Sequence, residues 1–198
     1  MGILPMMPVP RHTRMQRSEL SGARSGMMFN RILLIFAFLA TFASCAAARP
    51  LVLVHYMPWF AAPPTSNIWG WHWTIAARDP EKIRDGRREI AAHFYPLIGP
   101  YDSIDPHLLE YHTLLMKIAG VDGVIADWYG PDDLNDYAFI HTATAALFDQ
   151  AKRAGLSIAV CYEDQTINAF EKAKKLDDRV AHAQRVVQWL IENLLNDP

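Results

Sequence analysis

The chain has 198 residues, a formal net charge of −2 and a hydrophobic fraction of 51%. This composition is typical of a globular protein, and it excludes intrinsic disorder and the strongly basic surface that nucleic-acid binding requires. The eight histidines and two cysteines form no motif such as H-E-x-x-H or a close Cys/His cluster. The sequence therefore predicts no metal ion and no other cofactor.

Residues 1–48 are predicted to be an N-terminal extension followed by an export signal. Arg31 precedes an apolar run, Ile32–Phe42, and small residues follow it as far as Ala48. These features are typical of a secretory signal peptide, and the run is shorter than the ~20 residues of a membrane span. We expect cleavage after Ala48 and a secreted or periplasmic protein. The alternative is a lipoprotein, attached to a membrane through a lipid on Cys45.

Residues 49–198 are predicted to form one domain in which strands and helices alternate. Short apolar runs without helical period predict buried strands at residues 51–56, 121–128 and 156–162. Prolines predict a long loop over 57–74, and the segment 79–92 is charged and weakly helical in pattern.

Three helical regions are predicted between and after these strands. The first begins after Asp105, with Pro106 in the first turn and Gly120 at the end. The core-facing stripe predicted for this helix consists of Leu108, Leu109, Leu115, Met116 and Ala119. The other helical regions cover about 137–154, with Asp136 as its cap, and about 169–195, with a break near 177–178.

This order of elements predicts an α/β fold with parallel strands. Each strand is followed by a helix that returns the chain to the same end of the sheet. Three such units do not close a barrel, since a complete eight-fold barrel takes ~250 residues. We therefore expect an incomplete (β/α)₈ barrel of the TIM type, containing its first three β–α units.

Aromatic and polar side chains collect where the predicted strands end, which is where α/β proteins place their ligand sites. Sugars present apolar faces to aromatic rings and hydroxyl groups to carboxylates, so this mixture predicts a carbohydrate site. The candidate binding residues are Tyr56, Trp59, Trp71, Tyr95, Asp102, Asp127, Trp128, Tyr129 and Glu163. The alternative for about half of the aromatic residues is that they only pack beneath loops.

Five segments, in the right order and spacing, resemble the N-terminal part of glycoside hydrolase family 99 and its bacterial relatives. They are VHYMPWF (54–60), WGWHW (69–73), HFYPLIGPYDSIDPHLLEYH (93–112), GVDGVIADWYG (120–130) and GLSIAVCYEDQ (155–165). The resemblance implies a (β/α)₈ barrel that cleaves α-mannosidic linkages inside a glycan, with retention and without a metal ion. It also implies catalytic carboxylates on a later Asn-Glu-Trp-x-Glu motif, which this sequence does not contain, and it carries over only Glu163 as a polar group beside the substrate.

Two carboxylates are required for ordinary glycoside hydrolysis. Asp127 and Glu163 follow successive strands, which lie ~4.8 Å apart, so their carboxyl groups are weak candidates for a pair at the ~5 Å spacing of retaining enzymes. The favoured interpretation is that they bind sugar hydroxyl groups and that this chain alone lacks the catalytic pair. We thus expect the N-terminal portion of a secreted hydrolase acting on α-linked, mannose-type oligo- or polysaccharides. The alternatives are a non-catalytic carbohydrate-binding or scaffold protein and a truncated relic.

Overall fold

A computed structural model describes residues 49–196, and the predicted extension and signal peptide lie outside the described residues. Three parallel strands form the central sheet: β1 (Leu53–Tyr56), β4 (Gly123–Trp128) and β5 (Ser157–Tyr162). Their order in the sheet is β1-β4-β5, so strands that follow one another in the β–α series are also neighbours in space. The three predicted strands and their parallel direction are confirmed, but only β4 is largely buried, and the predicted burial of β1 and β5 is wrong because each lies at an edge of the sheet.

Two strands form a separate antiparallel hairpin, β2 (Ile83–Arg84) and β3 (Arg87–Arg88), where the sequence pattern indicated a weakly helical segment. That prediction is wrong because the Asp85-Gly86 pair makes a tight turn in which both residues have positive φ, 51° and 75°. Asp-Gly is among the strongest signals for a two-residue hairpin turn, and it outweighs the surrounding charge pattern.

Helices α1 (Trp71–Thr74) and α2 (Pro106–Ile118) precede β4. Helix α1 is a single turn inside the predicted loop, and a 3₁₀ turn, Ile75–Ala77, follows it. Helix α2 has the predicted caps: a carboxylate oxygen of Asp105 accepts a hydrogen bond from the backbone amide of His107 at 2.9 Å, and Gly120 follows with φ 75°. Local capping chemistry therefore determines where α2 begins and where it ends.

Helix α3 (Tyr137–Ala154) occupies the predicted residues and ends at Gly155, which adopts φ 64°. Asp136 lies at its N-cap position but makes no capping hydrogen bond through its side chain. Its carboxylate instead lies 3.3 Å from Nε2 of His72. The predicted capping by Asp136 is therefore wrong, because its carboxylate faces His72 of α1 and makes no hydrogen bond to the first amides of α3.

The last helical region is broken, as predicted, into α4 (Thr166–Lys172) and α5 (Arg179–Leu190), with a π turn, Ile191–Leu195, at its end. Asp178 causes α5 to begin where it does, because its carboxylate accepts hydrogen bonds from the amides of Val180 and Ala181 at 2.8 and 3.1 Å. No helix among residues 49–196 is both long and apolar enough to cross a membrane.

One face of the sheet forms the main core. Val124, Ala126 and Trp128 of β4 are all fully buried and point to this face. Leu109 of α2 and Leu147 of α3 pack against the first two of them, while α5 packs against Trp128.

The opposite face of the sheet carries the alternate residues and is partly open, with His55 and Leu53 exposed and Cys161 half-buried. A doubly wound sheet would bury both faces beneath helices, whereas a barrel keeps its helices on the outer face. Sequential parallel strands with helices on one face are the arrangement of a segment of a (β/α)₈ barrel. The predicted fold class is confirmed.

Candidate functional site

Three side chains from three adjacent strands meet on the open face of the sheet. His55 of β1 is paired with Ile125 of β4, which lies two residues before Asp127 and so points to the same face. Asp127 is paired directly with Cys161 of β5. His55 Nε2 consequently lies 3.8 Å from Asp127 Oδ1.

Glu163 lies immediately beyond β5, where its backbone amide donates a hydrogen bond to the carbonyl of Trp128 at 2.9 Å. This bond extends the β4–β5 pairing by one step and brings the Glu163 carboxylate close to that of Asp127. The structure therefore brings together the two carboxylates that the sequence singled out.

The carboxyl group of Asp127 has an unusual environment. Its pKa is raised from 3.8 to about 6, chiefly by burial and also by the negative charge of the nearby Glu163, while His55 and the Tyr129 hydroxyl partly oppose the shift. The Tyr129 hydroxyl donates a long hydrogen bond, 3.5 Å, to Oδ2 of Asp127. Near neutral pH the site therefore holds concentrated negative charge, suited to hydrogen-bond donors such as sugar hydroxyls or to a cation.

A cleft of about 650 Å³ lies beside Tyr129. Its lining residues are Trp71, His72, Tyr129, Asn135, Asp136 and Tyr137. The Trp71 side chain is 62% exposed and forms an open aromatic wall. Tyr129 stacks on Tyr137 with ring centroids 5.0 Å apart, so these two lining residues add a second aromatic surface to the cleft.

Trp59 lies next to this cleft but is held by protein contacts. Its ring stacks on His72 with centroids 4.2 Å apart and an interplanar angle of 1°. Its indole Nε1 is buried and has no hydrogen-bond partner among the described residues. Trp59 therefore supports His72, and through it the wall of the cleft.

Tyr56 and Trp128 point to the helical face of the sheet, away from the open face. The Tyr56 hydroxyl hydrogen-bonds to His112 Nδ1 of α2 at 2.9 Å, and burial raises the pKa of that hydroxyl. Trp128 is fully buried and donates from Nε1 to His141 Nδ1 of α3 at 3.1 Å. Their packing gives no support to the prediction that these two residues bind sugar.

Two further candidates, Asp102 and Tyr95, lie in loops and do not line the cleft. Asp102 is buried and accepts hydrogen bonds from the amides of Ala62, Ser66 and Ile104. Tyr95 packs in a loop cluster, with Arg87 over its ring at 5.3 Å. These contacts hold loops in place, and a role for either residue in sugar binding stays a prediction.

The sequence places His55 and His72 at the rim where the predicted strands end, but the list of candidate binding residues includes neither of them, and Asp136 was predicted only as a helix cap. His55 carried a usable signal, because it stands at the end of the first strand and alternates with apolar neighbours. The contact between His72 of α1 and Asp136 at the start of α3 joins residues that are 64 positions apart in the chain, and nothing local in the sequence indicates it.

Comparisons with known proteins identify the family of the chain. The family model for glycosyl hydrolase family 99 matches residues 49–187. The chain belongs to this family. It is 27% identical over 116 residues to a glycoprotein endo-α-1,2-mannosidase-like protein of Danio rerio, covering 54% of this chain and 26% of that protein.

A second relative is the glycoprotein endo-α-1,2-mannosidase of Mus musculus, 28% identical over 131 residues, which are 64% of this chain and 26% of that protein. Among solved structures, the family 99 endo-α-mannosidase from Bacteroides thetaiotaomicron is similar with a TM-score of 0.48 and 20% identity, over 74% of this chain and 40% of that one. The family 99 chain described here thus spans about a quarter of the length of these curated relatives.

Proposed function

We propose that this family 99 chain forms part of the glycan-binding cleft of a glycoside hydrolase that acts on α-linked, mannose-type glycans. The observation that carries the proposal is the meeting of the Asp127 and Glu163 carboxylates beside an open aromatic cleft. Carboxylates accept hydrogen bonds from sugar hydroxyls, and the exposed ring of Trp71 offers a stacking surface for a sugar face. The named activities of the relatives support the choice of α-mannosides as the substrate class.

We propose further that Asp127 and Glu163 bind substrate and that the chain alone does not hydrolyse it. Hydrolysis with retention needs one proton donor and one nucleophile on opposite sides of the scissile bond. Asp127 accepts a hydrogen bond from the Tyr129 hydroxyl and contacts His55. Such contacts are suited to holding a sugar hydroxyl group in place.

We also propose that the protein is exported after cleavage of the predicted signal peptide. Mass spectrometry of the mature chain tests this proposal: an N-terminus at the predicted cleavage point would support export, and an intact leader would contradict it.

The test is isothermal titration calorimetry of the full chain with α-1,2-linked mannotriose, in EDTA so that metal ions play no part. We expect weak, saturable binding that Trp71→Ala and Glu163→Gln each reduce at least about fivefold, since each removes one stacking or charged contact worth ~1 kcal/mol. Phe94→Ala is the matched control, because Phe94 is 83% exposed and lies outside the cleft lining.

A reducing-end assay on mannan completes the test. No release above the blank is expected from the chain alone, and measurable release would overturn the proposed lack of catalysis. Absence of saturable binding, or an equal effect of Phe94→Ala, would overturn the assignment of the cleft. Binding without turnover is the expected result, and it would also fit a non-catalytic carbohydrate-binding protein.

A further inference from the structure

His55, Asp127 and Cys161 form a compact cluster that the sequence did not predict. It is a group of three potential ligands within residues 49–196 whose donor atoms all lie within 4.8 Å of one another. The three residues are 34 or more positions apart in the sequence and come from three different strands. The pairing of the three parallel strands brings them together, so no short sequence motif indicates the cluster.

Asp127 Oδ1 provides a second observation at the same place. The Asp127 side chain is only 5% exposed, and this oxygen is buried without a hydrogen-bond partner in the described part of the chain. It is also the oxygen that faces His55 Nε2 at 3.8 Å. A buried carboxylate oxygen with no donor is costly unless another charged group satisfies it.

We propose that His55, Asp127 and Cys161 bind a divalent zinc ion, with one imidazole nitrogen, one carboxylate oxygen and one thiolate sulfur as ligands. This donor set suits Zn²⁺, which accepts nitrogen, oxygen and sulfur ligands, whereas Mg²⁺ and Ca²⁺ prefer oxygen ligands only. The proposed zinc site does not depend on the proposed glycan function.

The distances between the three donor atoms are close to those of a tetrahedral zinc site. In a tetrahedral zinc site with bonds of ~2.0–2.3 Å, neighbouring ligand atoms lie ~3.3–3.8 Å apart. The contact between His55 and Asp127 already falls at the upper end of this range, at 3.8 Å. All donor atoms of the cluster lie within 4.8 Å of one another, so the other pairs must close by up to about 1 Å to reach this range.

The charge around the cluster also favours a cation. The carboxylates of Asp127 and Glu163 both lie beside Cys161, and their like charges repel each other. A divalent cation would offset this repulsion and stabilise the thiolate as a ligand.

The test is a titration of the reduced, EDTA-treated and desalted full chain with Co²⁺ as a spectroscopic substitute for zinc, followed by displacement with Zn²⁺. We expect one equivalent to bind, with a thiolate-to-cobalt charge-transfer band that Zn²⁺ removes. Cys161→Ser should abolish this band. His55→Ala and Asp127→Asn should each weaken Zn²⁺ binding by about tenfold or more, since each removes a ligand.

Two control variants make the result specific. His107→Ala removes an exposed histidine on α2, and Cys45→Ser removes the other thiol of the chain. Both should bind like the original protein, and the circular dichroism of all variants in EDTA should match. Absence of stoichiometric binding would overturn the proposal, and so would binding that Cys45→Ser removes but Cys161→Ser and His55→Ala leave unchanged.

Discussion

Asp102 shows how one residue can organise a long loop. Its two carboxylate oxygens accept three hydrogen bonds from backbone amides, those of Ala62 at 2.8 Å, Ser66 at 3.2 Å and Ile104 at 2.9 Å. The next residue, Ser103, adds a bond from the amide of Phe60 to its hydroxyl at 3.0 Å. The Asp-Ser pair thus fastens the loop after β1 and so supports the position of Trp59.

We predict that Asp102→Ala lowers the free energy of unfolding by about 2–4 kcal/mol, because it leaves buried amides without an acceptor. Asp149→Ala is the control, since Asp149 is exposed on α3 and its loss should cost about 0.5 kcal/mol or less. Urea unfolding followed by tryptophan fluorescence measures both. Equal effects of the two variants would contradict the role assigned to Asp102.

At the scale of elements, the close pairing of β4 with β5 depends on Gly123. A Cβ atom at this position would lie 2.9 Å from the backbone carbonyl carbon of Ser157 and 2.9 Å from Cδ2 of Leu53. The first of these is backbone of the neighbouring strand and cannot rotate away. Gly120, three residues earlier, has φ 75° and no atom within 4 Å of the corresponding position.

We therefore predict that Gly123→Ala destabilises the protein by about 3 kcal/mol or more, through a steric clash inside the sheet. Gly120→Ala serves as the matched variant and should cost only about 1–2 kcal/mol, because backbone strain is the sole penalty there. Thermal melting of the two variants measures the difference. A Gly123→Ala variant that melts above Gly120→Ala would show that the sheet tolerates the extra atom.

At the scale of the whole molecule, apolar surface remains open to solvent. Helix α2 exposes Leu114, Leu115 and Ile118, with Ile118 at 84%. Leu115 and Ala119 belong to the predicted core-facing stripe and are exposed instead, while Thr113 is buried. Within residues 49–196, β1 and β5 each pair with one neighbouring strand only, so the central sheet has two free edges.

We predict that the chain self-associates in a concentration-dependent manner, because free strand edges and exposed apolar groups favour contacts between copies. Replacing Leu114 and Ile118 by lysine should reduce this association in sedimentation velocity experiments. Leu97→Lys is the control, since Leu97 is fully exposed and does not belong to α2. A wild-type chain that stays monomeric as its concentration rises would contradict the prediction.

Local chemistry in the sequence determined the order of the strands and main helices and most of their ends. Asp105, Gly120 and Gly155 act on neighbouring residues, and a buried parallel strand needs only a short apolar run. These signals extend over a few residues, so they can be interpreted without knowledge of the rest of the fold. The same holds for the Asp85-Gly86 turn, whose signal was present in the sequence.

Only the tertiary structure decided which candidates share a site. Asp127 and Trp128 are adjacent, so the pleat of β4 sends one to the open face and the other into the helical core. The cleft depends on the contact between His72 and Asp136, and the proposed zinc site depends on the register of three strands. Such contacts join residues far apart in the chain, and their geometry exists only once the strands have paired and the loops have packed.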